Sequence, residues 1–163
     1  MKAFLIALLS FALSFSVYGQ DYPNSGFTNK AEAKNLTING LKEGKWIEYN
    51  YAENEQDNID TNKVTDYNLI VYKKGKIIGI VRDYLINGKL VGEAPYVNGK
   101  LNGIVKTYYD NGQLYTLDIY TDSVKNGISK GYYKDGKLYY ETIYTNGNEG
   151  TFKSYDKNGN EIK

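Results

Sequence analysis

A glycine returns about every 24 residues through most of this chain, and a fixed set of partners returns with it. Gly79, Gly103, Gly127 and Gly150 lie 24, 24 and 23 residues apart. Five residues beyond them stand Tyr84, Tyr108, Tyr132 and Tyr155, and nine beyond stand Gly88, Gly112, Gly136 and Gly159. Asn87, Asn111, Asp135 and Asn158 precede those second glycines. Leu90, Leu114 and Leu138 follow two residues after them, and Tyr96, Tyr120 and Tyr144 follow eight after. A unit this short cannot bury an apolar face alone, so its neighbours must stack on it. The period therefore restricts the fold to a linear array.

Each unit reads as two strands. The first is Gly103-Ile104-Val105-Lys106-Thr107-Tyr108-Tyr109, and the second runs from Gln113 to Tyr120. With 18 Tyr, 17 Gly and only two Pro, the composition favours pleated, half-buried strands and tight turns. Asn111-Gly112 predicts a two-residue hairpin, because that pair accepts the positive φ angles such turns need. Gly88, Gly136 and Gly159 take the same structural turn role. Asn98-Gly99 and Asn146-Gly147 mark the connections between units. Side chains alternate across a strand, so Ile104, Lys106 and Tyr108 share one face while Val105, Thr107 and Tyr109 share the other. The position of Trp46, Val81, Val105, Ser129 and Phe152 is mostly apolar and is expected to face a core.

An earlier copy begins at Gly44, with Tyr49 in register, but it precedes Gly79 by 35 residues. The excess over one period matches the polar stretch Ala52 to Asn62, which holds Glu53, Glu55, Asp57 and Asp60. It is expected to be an acidic loop, 52–62, inserted at the first hairpin tip. The resulting division is a leader over 1–19, a segment over 20–38 leading into the first strand, and a repeat array over 39–163.

The leader reading rests on Lys2, an apolar run from Ala3 to Val17 and the small residue Gly19. That is the pattern of a signal peptide, and the run is shorter than the roughly 20 apolar residues of a spanning helix. Cleavage is expected after Gly19, leaving no transmembrane segment and placing the protein in the periplasm, at the cell surface or outside the cell. The whole chain has 20 basic and 19 acidic residues, so removing Lys2 leaves 19 of each. Zero net charge argues against a nucleic-acid partner, whose affinity comes mainly from neutralised phosphates. It also argues against simple electrostatic attachment to an anionic membrane. Without Cys there are no disulfides, and stability must come from packing and ladder hydrogen bonds.

Asn98-Gly99-Lys100-Leu101-Asn102-Gly103, continuing through Tyr108-Tyr109-Asp110-Asn111-Gly112-Gln113-Leu114, resembles the unit of the MORN-repeat variant family of bacteria. The likeness extends over about Asn39 to Ile162. It implies an all-β, elongated antiparallel meander of about five hairpins, without a closed barrel, serving binding or scaffolding and not catalysis. The departures are the acidic insertion, Pro95 within a second strand, and the degenerate last unit around Asn160-Glu161. Antitoxin labels attached to some such proteins fit poorly with a leader, since an antitoxin usually acts in the cytoplasm.

The chemistry available is narrow. With neither His nor Cys, Ser-His-Asp and Cys-His systems are excluded, as are nearly all imidazole- or thiolate-built metal sites. Glu93 and Glu141 share a repeat position and Asp118 lies one residue off. A glycosidase pair would need two such carboxylates close together in a cleft, whereas repeated carboxylates more often balance nearby lysines. No enzyme activity and no cofactor are expected. The acidic loop and Asp156-Lys157-Asn158-Gly159-Asn160 hold oxygens of the kind calcium takes, but both read more simply as solvated loop and turn. Arg82, Lys106, Lys130 and Lys153 fall in one column beside Tyr84, Tyr108, Tyr132 and Tyr155. These eight residues are the candidate ligand face, a cation-and-aromatic track for an acidic glycan or peptide. The simpler reading is a solvated face whose lysine stems cover tyrosine rings. The expected function is a binding or scaffold module whose partner is a protein or an envelope component. An alternative is a secreted effector, inhibitor or immunity protein. A lesser one is a cell-wall glycan-binding repeat, for which a single Trp is too few.

Overall fold

The computed structural model describes residues 25–53 and 59–162. The expected leader lies outside the described residues, as do Glu55 and Asp57 of the insertion. After a short 3₁₀ turn at Lys30–Glu32 come β1 (Leu36–Ile38), β2 (Leu41–Glu53), β3 (Ile59–Lys73) and β4 (Lys76–Leu85). They are followed by β5 (Leu90–Val97), β6 (Lys100–Leu101), β7 (Gly103–Tyr108), β8 (Leu114–Thr121), β9 (Val124–Tyr132), β10 (Leu138–Thr145) and β11 (Asn148–Ser154). All pair antiparallel in chain order, with β6 and β7 both lying along β5. The sheet is an open meander, as the period and the resemblance imply.

The two rims of the sheet turn by different chemistry. At Asn39-Gly40, Lys74-Gly75, Asn98-Gly99, Asp122-Ser123 and Asn146-Gly147 both central residues have positive φ, which is the two-residue type I′ hairpin. At the other rim Gly112 donates its N–H to Tyr109 O at 2.9 Å and Tyr109 donates to Gln113 O at 2.8 Å. Gly112 has φ +82 while Asn111 does not appear at positive φ. This is a three-residue loop, a type I turn closed by a left-handed glycine, and not the two-residue turn expected there. Asn111 serves a different purpose: its Oδ1 accepts the Gln113 N–H at 3.1 Å. Asn87 does the same for Lys89 and Asp135 for Lys137. The side-chain acceptor, and not tolerance of positive φ, accounts for Asn or Asp at this position.

The repeat glycine marks a bulge. The register shifts opposite Ile70, Ile119 and Ile143, where Gly79, Gly127 and Gly150 lie. Gly127 has φ +127, and a Cβ there would stand 3.0 Å from Ile119 Cβ. The bulge glycines also face the repeat tyrosines: Gly79 pairs with Tyr96, Gly103 with Tyr120 and Gly127 with Tyr144. Pro95 lies where β6 gives way to β7, and a Cβ on Gly103 would stand 2.9 Å from its ring. A residue without N–H is tolerated at such an interruption of the ladder.

Units are laced along both rims. Gly75, Gly99, Ser123 and Gly147 donate N–H to the carbonyls of Lys42, Ile77, Leu101 and Lys125 in the preceding hairpin, at 2.7–2.9 Å. On the other rim Tyr109 Oη donates to Tyr132 O and Tyr133 Oη to Tyr155 O, at 2.7 and 2.8 Å. This direct coupling between neighbours is how a single layer of short hairpins holds its register.

Burial is uneven. One cluster, Phe27, Tyr67, Leu69 and Val71, lies on one face of β3, and another, Ile70, Tyr72 and Val81, lies on the reverse. The expected core position is unevenly covered: Val81 and Ser129 are buried, Trp46 and Val105 half-buried, and Phe152, in the last unit, exposed. Residues 25–35 are more than a lead-in. They cross one face as a strap whose Phe27 packs on Tyr67, Leu69 and Val71. Its far end is fixed where Asn35 exchanges side-chain bonds with the N–H and C=O of Ile47, at 2.9 and 3.3 Å. The insertion sits at the tip of the first hairpin, as expected, but it is not a loop throughout. Ala52 pairs with Asp60 and Glu53 with Ile59, so its flanks extend the two strands past a register shift. Backbone donors left unpaired are costly, and continued pairing satisfies them.

Candidate functional site

Directly opposed residues project from the same side of a sheet, so register defines each face. One row runs Ile47, Leu69, Arg82, Glu93, Lys106, Leu117, Lys130, Glu141, Lys153, one residue on each of β2 to β5 and β7 to β11. It brings the four predicted cations onto one face but interleaves them with second-strand residues. Tyr84, Tyr108 and Tyr132 stand in the adjoining row, opposite Leu90, Leu114 and Leu138. Tyr155 lies at an isolated bridge with Glu161.

Much of this charge is already matched within the face. Arg82 Nε lies 2.9 Å from Glu93 Oε1, and Tyr108 Oη donates to Glu93 Oε2 at 2.8 Å. Burial and that bond to a carboxylate push the Tyr108 phenol up to about 12. Forty-eight residues on, Lys130 lies 3.5 Å from Glu141 while Tyr155 Oη donates to it at 3.1 Å. The unit between has Leu117 in place of the glutamate, and Lys106 makes no ion pair among the described residues. Lys153 meets Glu161 at 3.4 Å.

The strap explains the arginine at position 82. Its Nη1 donates to Ser25 O at 2.8 Å and to Phe27 O at 3.2 Å. The planar guanidinium can hold two carbonyls and a carboxylate at once, whereas a lysine is a single point charge. Gly26 presses on the Ile80 carbonyl so closely that any Cβ would clash. The chain itself thus covers the Arg82 and Tyr84 end of the candidate face. The rest is open, and Ile104, Ile128 and Ile143 are 47%, 43% and 54% exposed on it. Ile104 pairs with Ile119 and Ile128 with Ile143, which makes a stripe beside the charged row. A cavity of about 260 Å³ opens there, lined by Ile128, Glu141, Ile143, Thr151 and Lys153. Sequence reasoning missed this stripe, although the signal was present: Ile80, Ile104 and Ile128 each follow a repeat glycine.

On the reverse face Ser129 Oγ donates to Asp118 Oδ1 at 2.5 Å, and Lys125 Nζ lies 2.9 Å from the same oxygen. The Lys125 ammonium sits 4.7 Å from the Tyr144 ring centre. Burial works against its charge, but the Asp118 bond outweighs that and raises its pKa. Asp118 is therefore engaged on the wrong side to serve with Glu93 or Glu141. Those two glutamates are four strand spacings apart, roughly 19 Å at about 4.8 Å each, beyond the roughly 5–10 Å a glycosidase pair requires.

Among the described residues no group of three or more His, Cys, Asp or Glu gathers to hold a metal ion. The Asp156 carboxylate accepts from the Asn160 side chain and from the Asn158 and Asn160 N–H groups, which lowers its pKa and makes it a turn cap. Among the described residues no helix is long and apolar enough to cross a membrane.

These features define an open, single-layer hairpin-repeat protein. Residues 101–122 and 125–146 each match the MORN repeat variant, so these two hairpins are similar to repeats of that family. Each match spans a bulged first strand, a glycine-closed turn and a second strand; β4 and β5 repeat that plan, and after β11 the second strand shrinks to the bridge of Tyr155 with Glu161. No curated protein matches the chain. MORN repeats are in general protein- or membrane-binding modules and typically non-catalytic, which agrees with a binding role.

Proposed function

We propose that this chain is an exported, non-catalytic module that binds a protein or a cell-envelope component through the open part of the strapped face. The observation behind this reading is the exposed isoleucine stripe beside the charged row. Contiguous exposed apolar surface rimmed by polar groups is characteristic of interaction sites. The carboxylates on that face are held by cations and phenols, which suits a fixed surface better than acid–base turnover. Export rests on the leader sequence, and N-terminal sequencing of the protein from its native host should begin at Gln20 or within two residues. An intact Met1 on exported protein would refute it. The binding role is tested by immobilising the array and cross-linking it to envelope material from its host. Partner retention should fall when Ile128 and Ile143 are both replaced by Glu; equal retention by both forms would move the interaction off this face.

A further inference from the structure

Resting on that binding reading, we infer that the open part of the face, from β7 to β11, seats an extended segment of a partner protein. The segment carries two carboxylates about six residues apart, with one bulky apolar side chain between them. The leading residues of the chain's own strap, ahead of its 3₁₀ turn, show how such a segment is held. The strap runs across the strands, from Arg82 on β4, over Leu69 and Val71 on β3, to Lys45 and Ile47 on β2. Its backbone carbonyls are taken by the cation of the charged row, its glycine lies on the backbone carbonyl of the residue after the bulge glycine, and its aromatic ring is buried between rows.

The repeat copies this seat. Ile80 and Arg82 become Ile104 and Lys106, then Ile128 and Lys130, on the same face one and two units further along. None of these copies is covered by the strap. The cavity beside Ile128 and Ile143, at about 260 Å³, falls below the roughly 300–1,000 Å³ of small-molecule pockets. It has room for one bulky apolar side chain against Ile128 and Ile143. Charge fixes the flanks: Lys106 has no ion pair among the described residues, and Lys153 has only the exposed Glu161. These lysines stand on β7 and β11, four strand spacings apart, about 19 Å. An extended chain covers that distance in about six residues at roughly 3.3 Å each.

The test uses the mature protein and a labelled synthetic peptide with a Ser-Gly-Phe core and a glutamate on each side at that spacing. Fluorescence anisotropy should show saturable binding. Binding should weaken at least about tenfold in Ile143→Glu and in Lys106→Glu, and be lost when the peptide's glutamates are replaced by lysines. Phe152→Glu, on the opposite face, should bind as the wild type does. Amide exchange of the wild type should slow in β7 to β11 on saturation, a readout that needs no variant to fold. Unchanged affinity in Ile143→Glu, protection confined to other strands, or binding of anionic phosphatidylglycerol vesicles in place of the peptide would each overturn the inference. If the peptide fails to bind while the envelope partner is still retained through Ile128 and Ile143, the peptide chemistry is wrong and the binding face stands.

Discussion

The turn glycine and the bulge glycine of the repeat do different work, and mutation should separate them. Gly112 closes its turn at φ +82, and nothing lies within 4 Å of the point where a Cβ would stand, so only backbone strain opposes a side chain. Gly112→Ala should cost about 1–2 kcal/mol, and Gly112→Asn less, since Asn accepts the left-handed region. Gly127 combines φ +127 with the Ile119 contact, so Gly127→Ala should cost about 3 kcal/mol or more. Urea midpoints of the three variants give the order; a Gly112→Ala loss equal to that of Gly127→Ala would contradict the bulge. Asp83 offers a pH test. Burial, then the nearby Asp66 charge, raises its pKa. The native state thus holds the proton more tightly, and stability falls as pH rises from the unfolded value through the folded one. Asp83→Asn should therefore raise the urea midpoint at pH 7, and the gain should vanish below about pH 3, where both states are protonated. A gain independent of pH would show that packing, not charge, is responsible.

At the scale of elements the strap and the insertion make opposite predictions. Phe27 is 5% exposed within the cluster on β3, so Phe27→Ala should cost about 3–5 kcal/mol and release the amide protection of residues 30–35. If those amides stay protected, Asn35 alone holds the strap. The insertion flanks pair only beyond a register shift at the hairpin tip. Replacing 52–62 by a short turn should cost less than about 2 kcal/mol, because loop length enters closure entropy only logarithmically. A larger loss in chemical denaturation would make those flanks structural. The hairpins themselves were legible in the repeat because alternation and turn glycines are local. Their turn types were not: Asn-Gly serves a type I′ turn at Asn98-Gly99 and a three-residue loop at Asn111-Gly112. The difference lies in how many residues the flanking ladder leaves unpaired.

Across the whole molecule, stability should decline from β3 toward β11. Leu69 and Val71 are fully buried, whereas β11 is mostly exposed. In a linear array, stability is a sum of unit and nearest-neighbour terms, so the unit with one neighbour opens first. Native-state hydrogen exchange should give the slowest amides in β3 and the fastest in β10 and β11; uniform protection would mean the array unfolds as one block. The sequence alone determined the repeat, the hairpins, the shared face of Arg82, Lys106, Lys130 and Lys153, and the absence of thiol and imidazole chemistry. All of these follow from residue type and fixed spacing along a strand. Only the tertiary structure decided which residues stand between those cations, because antiparallel pairing interleaves strands far apart in sequence. It also decided that one end of the face is closed by Phe27 and Arg82 while the rest, bearing Ile104, Ile128 and Ile143, is open. The strap lies outside the repeat, and where it docks depends on contacts between residues 25–35 and β2 to β4 that no local periodicity encodes.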